Sequence, residues 1–119
     1  MQIPVQITFR NIGPSPAIEA AVRERASKLE RFFDRIISCR VVVEAPHRSK
    51  RKGKLYQIRI NLTVPGEELA VTAAGPQDPA HEDVYVAIRD AFDAAERRLQ
   101  DYADRLREPV KTPAASLPS

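Results

Sequence analysis

The chain has 119 residues, enough for one domain with a core that needs no staples. Its 43% hydrophobic and 29% charged residues fit a soluble globule, and a net charge of +3 names no partner, so the placement of charge matters more than its sum. The single cysteine, Cys39, excludes an internal disulfide, and no segment reaches the apolar length of a bilayer span.

The N-terminal stretch MQIPVQITFR lacks a basic n-region and an apolar h-region, so no signal peptide is read there, and a reducing, cytoplasmic context is expected. Ile3, Val5, Ile7 and Phe9 alternate with polar neighbours, the pattern of a half-buried strand. Pro4 near its start suits an edge position, where a missing donor costs nothing. Ser15 is a good N-cap and Pro16 suits a first helical turn, so a helix is predicted from about Ser15 to Asp34. Its apolar stripe is Ile18, Val22, Leu29, Phe33 and Ile36. The charges beside that stripe are sorted. Arg25, Lys28, Arg31 and Arg35 fall on one flank with Glu24; Glu19, Glu30 and Asp34 fall on the other with Arg23.

The second strand puts Cys39, Val41 and Val43 on one face and Arg40, Val42 and Glu44 on the other. Cys39 in this apolar run reads as a small buried hydrophobe. A basic turn follows, holding Arg48, Lys50, Arg51, Lys52 and Lys54, with Gly53 where a hairpin must reverse. The third strand points Tyr56, Ile58, Ile60, Leu62 and Val64 inward, Pro65-Gly66 marks a tight corner, and the fourth strand turns Leu69, Val71 and Ala73 inward. After a loop, a second helix is predicted from about His81 to Glu108, with a stripe of Val84, Ile88, Phe92, Ala95, Leu99, Tyr102 and Leu106. The domain therefore covers 1–108, and the proline-rich tail 109–119 is expected to be disordered.

The order strand-helix-strand-strand-strand-helix, with one apolar face per strand, predicts an α+β two-layer sandwich. A four-stranded mixed sheet carries both helices on one face, with a right-handed helical crossover between parallel first and second strands. The open sheet face shows Gln6, Thr8, Arg40, Gln57, Arg59, Asn61 and Thr72 and no aromatic ring, which argues against base stacking on a sheet platform. The cations crowded in the basic turn repel one another unless phosphate or counterions relieve them, so phosphate binding is preferred over a merely solvated tip. The basic flank of the first helix could be no more than Arg and Lys stems covering the core edge; with the basic turn beside it, a shared polyanion footprint is the stronger reading. Arg98 and Arg105 on one flank of the second helix could extend it.

Enzymatic chemistry finds little support, and an unrecognised enzyme is the weakest of the readings. There is no glycine-rich phosphate loop, no nucleophile with a base, and His47 and His81 stand at no ligand spacing, so no catalytic residue, metal or cofactor is expected.

Three runs, AVRERASKLERFFDRI, HRSKRKGKLYQIRINLTVPG and EDVYVAIRDAFDAAERRL, occur in the right order and resemble the ribosome hibernation-promoting factor and ribosome-associated inhibitor family, in its short form. The resemblance implies a fold akin to double-stranded-RNA-binding domains. It also implies binding to ribosomal RNA of the small ribosomal subunit, with blockage of the mRNA and tRNA channel under stress. By position, Arg25 and Lys28 fall where the family has lysines and Arg97 on a family arginine, whereas Ala94, Asp101 and Ala103 stand where the family is often basic. The expected protein is a ribosome-binding regulator, monomeric when free and with no membrane role. The alternatives are a general structured-RNA-binding module and a protein-interaction regulator acting through the acidic second helix.

Overall fold

The computed structural model describes residues 4–45, 56–73 and 83–107. The elements are β1 (Val5–Arg10), α1 (Pro16–Phe32), β2 (Ser38–Glu44), β3 (Gln57–Val64), β4 (Glu67–Ala73) and α2 (Val84–Arg107). One sheet has the order β1-β2-β3-β4; β1 and β2 are parallel and the other pairs antiparallel. This is the mixed α+β sheet predicted from the pattern. Ile3, the basic turn and the tail 109–119 lie outside the described residues.

Local chemistry sets the element ends. Asn11 takes a positive φ of 60°, a conformation its short polar side chain tolerates, and turns the chain out of β1. The Ser15 hydroxyl then accepts from the Ile18 N–H at 3.2 Å, and Pro16 opens α1. The helix stops earlier than the stripe suggested. Phe33 is already extended, with its N–H on the Leu29 carbonyl at 2.9 Å. Phe33 and Ile36 thus reach the core from the connection, not from the helix, and Ala26 fills the stripe between Val22 and Leu29. The Ile37 N–H donates to the Thr63 carbonyl at 2.7 Å and continues the β2–β3 pairing by one residue. Val64 pairs with Glu67 across Pro65-Gly66, and Gly66 takes the φ of 89° that a corner of this kind needs at its second position. Asp83 caps α2: its carboxylate accepts from the Tyr85 N–H at 2.9 Å.

In register, Val5, Ile7 and Phe9 lie opposite Cys39, Val41 and Val43, and these lie opposite Leu62, Ile60 and Ile58. The helices cover that apolar face. α2 packs over β3 and β4, and α1 lies beside it toward β1. The α2 stripe is buried from Ala87 to Tyr102, with Ala87 and Ala91 letting the helix sit close to the sheet. Leu106 departs from the prediction: it is 47% exposed, because α2 has run past the β3–β4 corner by then. That corner is marked by Tyr102, whose hydroxyl donates to the Pro65 carbonyl.

Candidate nucleic-acid interface

The two helices run in the same direction. Arg25, Lys28, Leu29 and Phe32 of α1 face Phe92, Asp93 and Glu96 of α2 across a groove of about 240 Å³. Further along, Phe32, Phe33 and Arg35 face Gln100, Ala103 and Leu106 across a cleft of about 420 Å³. The Phe33 and Tyr102 rings close the floor nearby, edge to face at 5.6 Å and 81°. The helical pair therefore presents a furrow of two concavities that share Phe32 as a wall, the first with cationic and acidic walls and the second, at the C-terminal end, apolar and cationic.

The structure sorts the candidate cations into three groups. Arg25 and Lys28 sit on the α2-facing flank of α1, Arg25 half-buried and Lys28 exposed. Arg31 is exposed in the last turn of α1, where a cation also complements the helix dipole, and Arg35 is exposed in the connection that follows. Arg25 and Lys28 share the flank expected from the helical wheel, whereas Arg35 stands beyond the end of the helix; Arg23 lies toward β1, its guanidinium reaching the Val5 carbonyl at 3.5 Å.

The second group is on α2 and is not joined to the first. Arg98 donates to the Ala70 carbonyl of β4 at 2.9 Å. Arg105 pairs with Glu67 at 3.3 Å and lies over the Tyr102 ring at 5.9 Å. Both tie α2 to β4, on the flank away from α1. Arg97, one residue from Arg98, is exposed. The third group, Arg48, Lys50, Arg51, Lys52 and Lys54, lies outside the described residues; the strands that lead to it pair as far as Glu44 and Gln57.

Three features escaped the sequence reading. Asp93 and Glu96 share the α2 flank that faces Arg25 and Lys28. A wheel of α2 places them together at i and i+3, but nothing in one helix says which neighbour that flank meets. Phe32 was assigned to no stripe, yet it walls both the groove and the cleft. On the open sheet face Arg40 pairs with Glu68, and Arg10 and Arg59 are exposed elsewhere on it, so that face is a mixed polar surface. Among the described residues no group of three or more His, Cys, Asp or Glu is placed to hold a metal ion, and no helix is long and apolar enough to cross a membrane.

Comparison with known proteins places this arrangement. A family profile described as sigma 54 modulation protein / S30EA ribosomal protein matches residues 5–107. The ribosome hibernation promoting factor of Klebsiella oxytoca is 33% identical over 105 residues, covering 87% of this chain and 97% of that protein. The factor of the same name from Azotobacter vinelandii is 33% identical over 101 residues, covering 85% and 83%. A ribosome hibernation promotion factor from Deinococcus radiodurans is 30% identical over 107 residues, and the match spans 51% of its length. Two solved structures share the fold. A ribosomal subunit interface protein from Coxiella burnetii has a TM-score of 0.69 at 18% identity, covering 86% of this chain and 99% of that one. The N-terminal domain of Thermus thermophilus Protein Y has a TM-score of 0.65 at 24% identity, with the same coverage. The chain belongs to the sigma 54 modulation protein / S30EA ribosomal protein family.

Proposed function

We propose that the protein is a ribosome-associated hibernation factor that sets the cationic flank of α1 and the basic β2–β3 turn against ribosomal RNA of the small subunit, occluding the mRNA and tRNA channel. The observation that carries this reading is the set of cations Arg25, Lys28 and Arg31 on α1 and Arg35 just after it, of which Arg25, Lys28 and Arg35 line the furrow, in a chain of this family. Relatives named as ribosome hibernation promoting factors, matched along most of both chains, support the ribosome as partner. The work is binding, with no bond made or broken. Phosphates are met by side chains whose charge needs no tuning, and selectivity comes from the shape of a folded RNA.

The furrow is not purely cationic. Asp93 and Glu96 stand across from Arg25 and Lys28 and lower the local positive potential. Arg35 lines a cleft with no acid among its described walls, so the end of the furrow nearest Arg35 is the stronger anchor for phosphate.

Co-sedimentation with purified small subunits tests the reading. Arg25→Glu with Lys28→Glu lowers the bound fraction, while the circular dichroism spectrum stays that of the folded domain, because both side chains line an open groove and neither belongs to the buried core. Binding equal to that of the parent removes this flank from the interface.

A further inference from the structure

We infer that the cleft between the C-terminal ends of α1 and α2 receives a single unstacked nucleobase of the bound RNA, its ring against Phe32 and its polar edge at Gln100. The inference rests on the RNA reading above and names what fills one part of that surface. Phe32 is 41% exposed and Leu106 47% exposed, and both open into the same cleft. A small domain that leaves two large apolar side chains facing one concavity leaves an apolar surface to be covered. The cleft holds about 420 Å³, within the range of small-ligand pockets of roughly 300–1,000 Å³.

The polar groups decide what covers it. Among the described residues its charged and amide walls are Arg35 and Gln100, and the Gln100 amide nitrogen already donates to the Asp104 carboxylate at 3.0 Å, which leaves the amide oxygen to accept from a ligand. An apolar protein side chain would use Phe32 and Leu106 and leave the guanidinium and the amide oxygen unused. A nucleotide uses all of them. Its ring meets an aromatic face, its exocyclic amine can donate to the amide oxygen, and its phosphate meets an arginine. Lys28, in the adjoining groove that shares Phe32 with the cleft, can meet the backbone of the same strand. The wall is also held in place, since Phe33 behind it is fixed edge-on by Tyr102 at 5.6 Å. Stacking, absent from the described open sheet face, thus has a place between the helices.

The test uses the full chain and two RNA hairpins, one carrying a single bulged adenosine and one fully paired. The parent protein binds the bulged hairpin roughly tenfold more tightly, the scale expected for one base stacked on an aromatic side chain. Phe32→Leu keeps the apolar bulk and the helix but removes the aromatic face; it abolishes the preference and leaves affinity for the paired hairpin unchanged. Phe32→Trp retains the preference. A parent protein that binds both hairpins equally overturns the inference and leaves the cleft to a protein group. A Phe32→Leu variant weakened on both hairpins alike overturns it too, as that pattern marks a structural role. In both cases Arg25→Glu with Lys28→Glu still weakens both hairpins if the RNA reading holds. Should that double variant bind like the parent, the RNA reading falls and the inference falls with it.

Discussion

Cys39 shows how burial settles the chemistry of a side chain. It lies in the middle of the sheet, paired with Val5 on one side and Leu62 on the other, and is 1% exposed. Burial pushes its thiol up to about 12 from the ordinary 9.0, because a thiolate there would lose its water. The thiol is thus neutral and inert at physiological pH. The sign of the pH effect follows. Below pH 9 the thiol is protonated in both folded and unfolded chains, and its protonation does not bias folding. Above that pH the unfolded chain releases the proton and the folded chain keeps it, so stability falls as pH rises from about 9 to about 12. The stability difference between the parent and Cys39→Ala, measured by urea unfolding across this window, should shrink by up to about 1.4 kcal/mol per pH unit. A difference that stays constant up to about pH 11 would show that the folded thiol ionises normally.

At the scale of elements, α2 divides its duties by flank. One side buries Ala87, Ile88, Ala91, Phe92, Ala95, Leu99 and Tyr102; one side ties to β4 through Arg98 and Arg105; the side toward α1 carries Asp93 and Glu96. Periodicity made the elements and the sorted flank of α1 legible, because apolar spacing reports which face is buried regardless of what buries it. It could not report partners. Arg98 and Arg105 looked like an extension of the basic flank, and only the packing of α2 onto β4 shows them serving that edge. Leu106 fitted the stripe and still faces the cleft, because a wheel does not know where the sheet ends. The basic turn was conspicuous in the sequence and lies outside the described residues. If Asp93 and Glu96 restrain the flank opposite, Asp93→Asn with Glu96→Gln strengthens binding to small subunits. The expected gain is roughly twofold to tenfold at low salt, the worth of two exposed like-charge repulsions removed, and it fades as salt screens them. Weaker binding after neutralisation would instead mean that these acids hold Arg25 and Lys28 in their binding pose.

For the whole molecule, a net charge of +3 conceals a strongly uneven surface. α2 carries as many acids as arginines, and its arginines partly serve the fold, whereas Lys28 and Arg35 stand exposed at the furrow and Arg31 is exposed in the last turn of α1. Arg98 on the Ala70 carbonyl also caps the exposed edge of β4, which would otherwise invite another strand. Binding through phosphates releases counterions, so affinity should fall linearly in a log–log plot against salt, with a slope set by the number of phosphates neutralised. Replacing Lys50, Arg51 and Lys52 by Ser isolates the turn. The β2–β3 ladder is paired up to Glu44 and Gln57 without them, so the melting temperature should hold. The salt slope should become shallower by about 0.7–0.9 for every phosphate that the variant no longer neutralises. A parallel line of unchanged slope but lower affinity would show that the turn shapes the surface without touching phosphate, and a large drop in melting temperature would show that its cations serve the hairpin itself.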